Sequence, residues 1–277
     1  MSLNEKRIGF IGCGKMGMAI IKGLVDSKLM NGTKIMGYDV ADSGWTETLT
    51  GWGVEPAVGN GEMVAQCDVV VLAVKPQYAA PALEEIKAAS ADTLLISIVA
   101  GLPSGQIEET LDPTARVVRV MPNTPALVRQ GASAICAGRS ATESDLDLAQ
   151  ELMDCVGVVV RVKEDHMDAV TGMSGTGPAF VFLFLEGLIG AGVRLGMTWH
   201  QAKTLAYQTV KGAAMLAQEA GLHVAQLRDD VTSPGGTSAA GLYVMDKAGM
   251  KAIISEAVSE AAHRAEQLGR YEKEKGD

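Results

Sequence analysis

The stretch "RIGFIGCGKMGMAIIKGLVDSKL", residues 7–29, decides the fold. Its first five residues make a mostly apolar run of strand length, and from Lys15 the apolar positions recur at helical spacing. Between the two stand Gly12, Cys13, Gly14, Lys15, Met16 and Gly17. A glycine triplet at this spacing means little alone, but between a strand and a helix its mechanics are specific. Gly12 makes the tight turn, Gly14 lets a pyrophosphate approach the backbone, and Gly17 lets helix and strand pack closely. Ile11, Cys13, Lys15 and Met16 share that turn. Lys15 reads equally well as a neighbour of the phosphates or as a solvated surface lysine.

Working outward, Val/Ile-rich runs without polar alternation ("KIMGY", "DVVVLAV", "TLLISI", "ARVVRV") alternate with helix-length segments up to about Val162. That is the pattern of a parallel sheet buried on both faces. From Glu164 long Ala/Gly/Met/Leu-rich segments take over. The expected architecture is α/β: a Rossmann-type doubly wound sheet over residues 1–163, then an all-α substrate and dimerisation domain over 164–277. Several helical stripes are too apolar for one small bundle to bury, which predicts a homo-oligomer. The most hydrophobic run, "AFVFLFLEGLIGAGV", is short for a membrane span and contains Glu186, so it is expected to be a buried helix of a soluble protein.

Composition narrows the partners. The 277 residues are 47% hydrophobic and 21% charged, with a net charge of -9, which speaks against nucleic acid as a ligand. Cys13, Cys67, Cys136 and Cys155 lie far apart without metal-ligand spacing, and the N-terminus has no apolar signal core. A reduced, cytoplasmic location follows, with no metal and no membrane.

The second strand ends at Asp39, 39 − 17 = 22 residues beyond Gly17, near the position of the acid that takes the adenosine ribose hydroxyls. A carboxylate there repels a 2'-phosphate, which leans the coenzyme towards NADH. A turn aspartate is the competing role. Further strand ends carry "AVKPQ", "SIVAGL" and "RVMPNTPA", and ligands of open parallel sheets sit at such ends. Lys75 and Asn123 are the polar candidates facing the nicotinamide, unless they only brace their loops through side-chain to backbone hydrogen bonds.

Two segments of the helical half suit a small anion. "TGMSGTGPAFVF" sets Ser174, Gly175, Thr176 and Gly177 before Pro178, and "SPGGTSAAGL" offers Ser233, Gly235, Gly236, Thr237 and Ser238. Helix starts of this composition favour a carboxylate through free N–H groups and the helix dipole, by roughly 0.3 to 2 kcal/mol. An elaborate N-cap is the alternative for either alone. His166, His200, His223 and His263 form no metal or triad pattern. A hydride acceptor that needs no strong protein acid fits such a site, and a protonated C=N bond is one.

"GFIGCGKMG", "LAVKP", "RVMPNTPA", "TGMSGTGPAF" and "LRDDVTSPGGTSAAGL" occur in that order over nearly the whole chain, which thereby resembles the pyrroline-5-carboxylate reductase family. The resemblance implies reduction of 1-pyrroline-5-carboxylate to L-proline with NADH or NADPH, the last step of proline biosynthesis. It implies coenzyme contacts at Gly12 to Gly17, Asp39, Asn60, Ala73, Val74, Lys75, Pro76 and Ala100. It sets the substrate carboxylate on Gly236, Thr237 and Ser238, with Glu164 bordering the substrate and Ser238 as the catalytic hydroxyl. It also implies a homodimer of interlocked helical domains, rings of five dimers, and substrate sites shared between chains. Ser238 stands where most relatives carry Thr, and Asp39 where many carry a small polar residue.

Two rivals remain. A β-hydroxyacid dehydrogenase or related imine reductase shares the first motif, but the dehydrogenases need a lysine early in the helix after the second, where this chain has "GPAFVFLFLE". A non-catalytic dinucleotide sensor would need no carboxylate pocket.

Overall fold

The computed structural model describes residues 2–41, 44–90 and 92–276, with side chains up to Gly269. Two compact units are present, Met1–Thr176 with Ser259–Asp277, and Gly177–Val258.

The first unit is built on an eight-stranded sheet. The quoted stretch forms β1 (Ile8–Ile11) and α1 (Lys15–Asp26), followed by β2 (Ile35–Tyr38), α2 (Trp45–Gly51), β3 (Glu55–Pro56) and α3 (Asn60–Val64). Next come β4 (Val69–Leu72), α4 (Ala79–Ile86), β5 (Leu94–Ser97), α5 (Ser104–Leu111) and β6 (Arg116–Met121). β7 (Gly131–Ala137), α6 (Glu143–Asp154) and β8 (Gly157–Arg161) complete the sheet, whose order is β3-β2-β1-β4-β5-β6-β7-β8. The chain reverses direction across the sheet between β1 and β4, and the crevice at that point is where doubly wound folds bind dinucleotides.

The strands lack polar alternation because they pack on both sides. Ile8, Phe10, Val69, Val71, Leu94, Ile96, Val118 and Val120 join one core cluster, with Ile20, Ile21 and Leu24 of α1 and Leu152 of α6. Ile11, Val70, Leu72, Leu95 and Val117 join the other, with Leu83 and Ile86 of α4 and Ile107 of α5. One departure from the expected parallel sheet is β7, which pairs antiparallel to β6, Arg119 opposite Cys136. Only a 3-10 turn, Thr124–Val128, lies between them, too little for a crossover helix.

After β8 comes a helical run within the first unit: a 3-10 turn Glu164–His166, α7 (Met167–Val170) and a π-turn Thr171–Gly175. The second unit holds α8 (Gly177–Arg194), α9 (Trp199–Ala220), α10 (Val224–Asp230) and α11 (Thr237–Lys247). α12 (Met250–Gly276) closes the chain.

The expectation of a buried α8 is overturned within the single chain. None of its residues is buried; Phe182 is 63% and Leu183 69% exposed. An apolar run of this length can be covered by its own fold or by another chain, and its sequence is the same in both cases.

Candidate active site

The glycine turn has the geometry its spacing implies. Gly12 has φ +101°, and a Cβ there would stand 2.7 Å from the Ala73 carbonyl oxygen. Its N–H donates to the Tyr38 carbonyl at 2.8 Å, and the Ala73 N–H to that of Ile11 at 2.8 Å, which ties the turn to both neighbouring strands. A Cβ on Gly17 would press into the Gly12 carbonyl, so helix and turn touch there. Around Gly14 nothing lies within 4 Å of the missing Cβ, and no side chain caps α1. The first-turn amides of α1, beginning at the exposed Lys15 and half-buried Met16, are thus left for a ligand, and the open face at Gly14 fits a pyrophosphate.

Asp39 follows β2 beside this turn. Its Oδ2 accepts the Cys13 N–H at 2.8 Å and its Oδ1 the Ala41 N–H at 2.9 Å. The turn role is real, and each oxygen keeps a lone pair for a ribose hydroxyl. Burial and the Asp39 charge push the Cys13 thiol up to about 12, so it stays protonated and serves packing. Val74 packs on Gly12, and Lys75 caps a 3-10 turn starting at Pro76 by its carbonyl, which accepts the Tyr78 N–H. Ala100 is exposed at the end of the segment that follows β5.

Two coenzyme candidates are engaged elsewhere. Asn123 Nδ2 donates to the Ser174 carbonyl at 3.1 Å and its Oδ1 accepts the Ala132 N–H at 2.9 Å, the loop-bracing role. Asn60 is 3% exposed; its Nδ2 donates to Glu85 at 2.8 Å, and its Oδ1 is buried without a partner.

The two hydroxyl-glycine segments differ. Ser174, Gly175 and Thr176 do not begin a helix with open amides. They lie in or at the end of the π-turn, where the Thr176 N–H donates to the Thr171 carbonyl at 2.8 Å. The hydroxyls of Thr171, Ser174 and Thr176 also donate back to carbonyls, of Met167, Val170 and Thr171. That half of the expected anion site is corrected, and Gly177 simply opens α8. The other segment does begin a helix with open amides. Ser233 to Gly236 form a tight turn with Pro234 second, Gly235 third at φ +70° and Gly236 N–H donating to Ser233 carbonyl at 3.0 Å, a type II arrangement. Gly236 caps α11 without any side-chain bond, and the first helical bond runs from the Ala240 N–H to the Gly236 carbonyl. The amides of Thr237, Ser238 and Ala239 precede it and have no helical acceptor.

Glu164 is engaged by the protein itself. Its oxygens accept from Arg119 Nη1 at 2.7 Å, Ser104 Oγ at 2.8 Å, Cys136 Sγ at 3.1 Å and the Ser104 N–H at 3.2 Å. Burial disfavours its charge, yet hydrogen bonds from Arg119, Cys136 and Ser104 together with the Arg119 charge hold the carboxyl below its ordinary value. Arg119, 4% exposed, was overlooked in the sequence although the signal is there: a charge inside an apolar strand must be paired.

A doubly wound sheet with an open glycine turn at its switch point, joined to a helical unit with a bare helix start, defines an NAD(P)-dependent oxidoreductase. Two family models match, "NADP oxidoreductase coenzyme F420-dependent" over residues 7–101 and "Pyrroline-5-carboxylate reductase dimerisation" over 164–268. The chain is 40% identical to a pyrroline-5-carboxylate reductase of Methanosarcina acetivorans, over 97% of this chain and 100% of that protein, and 38% identical to one of Arabidopsis thaliana, over 95% of each. The solved pyrroline carboxylate reductase of Plasmodium falciparum, with NADP bound, superposes with a TM-score of 0.88 at 34% identity, over 96% of this chain and 99% of that one. The chain belongs to the pyrroline-5-carboxylate reductase family.

Proposed function

We infer that this protein reduces the C=N bond of 1-pyrroline-5-carboxylate to L-proline with a reduced nicotinamide coenzyme. The observation that carries this is the bare N-terminus of α11 beside the Ser233–Gly236 turn, in a chain whose glycine turn fits a pyrophosphate. Bound at that turn, the coenzyme supplies the hydride. The amides of Thr237, Ser238 and Ala239 bind the substrate carboxylate, with glycine at the cap so that it can approach. Ser238, through its hydroxyl, orients the ring by a hydrogen bond to the nitrogen or the carboxylate. A protonated imine is already electrophilic, so positioning replaces acid catalysis. The functional division falls between Lys163 and Glu164, with the coenzyme on the first part and substrate binding and dimerisation on the second.

Removing a hydrogen bond to a charged group costs about 1.5 to 3 kcal/mol, so Ser238→Ala should lower kcat/KM for the imine by roughly ten- to a hundred-fold. Steady-state kinetics check this, and unchanged values would remove Ser238 from the mechanism.

Of NADH and NADPH, NADH is the coenzyme that Asp39 favours. Asp39, fixed by the Cys13 and Ala41 amides, holds a carboxylate where a 2'-phosphate would arrive, and like charges at close range cost several kcal/mol. We expect kcat/KM to favour NADH by tenfold or more (about 1.4 kcal/mol) and Asp39→Ser to shift the ratio towards NADPH. A clear wild-type preference for NADPH refutes the role given to Asp39.

The exposed apolar surface of α8 and the dimerisation match support a homodimer of interlocked helical domains, with rings of five dimers as its larger assembly. Residues Glu164–Arg194 have the length and hydropathy of a membrane span, but self-association accounts for the same surface. Buried, free Cys13, Cys67 and Cys136 are in keeping with a reducing cytoplasm.

A further inference from the structure

β6 does more than extend the sheet. Its alternate residues Arg119 and Met121, and Asn123 just beyond, share one face, since Asn123 keeps an extended backbone (φ -130°, ψ 167°). Each of the three reaches the helical run of residues 164–175. Arg119 binds Glu164 at 2.7 Å and lies 3.9 Å from Asp168. Met121 packs against the cluster that holds Met167 and takes the space that a Cβ on Gly175 would fill. Asn123 donates to the Ser174 carbonyl at 3.1 Å, in the π-turn. One strand face therefore grips the run at both ends.

In the strand order β1-β4-β5-β6, β6 stands three spacings from the glycine turn of β1, roughly 14 Å at about 4.8 Å per strand. The run is thus held at the side of the sheet away from the adenosine end of the coenzyme, which Gly12 to Gly17 and Asp39 secure. We propose that Arg119 and Asn123 are positioning residues for imine reduction, fixing the 164–175 run against β6 so that substrate, and not coenzyme, is held in register. This inference rests on the function proposed above.

Asn123→Asp separates the two bonds of Asn123: the carboxylate still accepts the Ala132 N–H but cannot donate to the Ser174 carbonyl. It should raise the imine KM as much as Asn123→Ala does, roughly ten- to a hundred-fold, because small misplacements far from the chemistry are that costly. The NADH Kd, read by fluorescence titration, should stay within about twofold, since the coenzyme phosphates bind at a different strand. Amides of residues 164–176 should exchange faster with deuterium in Asn123→Asp than in wild type. Arg119→Lys keeps the charge without the fork and should raise the imine KM in the same direction. An Asn123→Asp protein with wild-type imine KM while Asn123→Ala is impaired would overturn the proposal, because Asn123 would then serve β7 alone. Equal weakening of NADH binding would overturn it as well. Wild-type protein that binds NADH but turns over no imine would instead remove the proposed function, and this inference with it.

Discussion

Gly12→Ala should abolish useful coenzyme binding. At φ +101° an added Cβ is strained whatever space surrounds it, and here it would also stand 2.7 Å from the Ala73 carbonyl oxygen, a backbone atom that cannot rotate away. Strain of this kind costs on the order of 3 kcal/mol, and relieving it moves the turn whose amides are proposed to meet the pyrophosphate. The NADH Kd should therefore rise by roughly a hundred-fold or more. Calorimetric titration of NADH reads the effect directly, and Gly14→Ala provides a contrast. A Cβ on Gly14 meets no protein atom, so that variant should keep its thermal stability and lose only coenzyme affinity. If Gly12→Ala bound NADH like wild type, the glycine turn would not be the coenzyme site.

Leu183→Glu should turn the protein into a folded monomer. Leu183 is 69% exposed within the chain and borders an apolar groove of about 460 Å³ with Phe180, Phe184, Met245, Ile253 and Ile254. Exposure within the chain means that the substitution removes little internal packing. In the proposed dimer the same side chain would be buried, worth about 1.5 to 3 kcal/mol for a leucine, and a carboxylate there would add several kcal/mol of desolvation. A two-fold interface counts each change twice, so the dimer Kd should rise by a thousand-fold or more, about 4 kcal/mol. Sedimentation with circular dichroism checks both halves of the expectation. A variant that remained dimeric would show that α8 is not the contact.

The parts legible in the sequence are those governed by neighbours along the chain. Gly12, Gly14 and Gly17 act within one strand-turn-helix unit, Asp39 directly follows the adjacent strand, and Pro234-Gly235 specifies its turn by itself. What the sequence hid depends on distant partners. The hydroxyls of "TGMSGTG" looked available, but a π-turn directs them onto their own helix, and that turn is braced by Asn123 and Met121 of a separate strand. The apolarity of α8 was plain and its burial was not, because hydrophobic periodicity is the same for a core and an interface. Arg119 was legible in principle and missed; an unpaired guanidinium cannot sit inside a sheet, and Glu164, far along the chain, answers it.

The most direct measurement mixes the purified protein with NADH and compares 1-pyrroline-5-carboxylate with 1-pyrroline, the same ring without its acid group, following coenzyme oxidation and the product. Coenzyme consumption matched by proline formation, with kcat/KM at least about tenfold lower for the ring lacking the carboxylate, is the predicted result. Equal turnover of both rings would contradict the carboxylate site at α11, and no turnover of either with NADH or NADPH would contradict imine reduction itself.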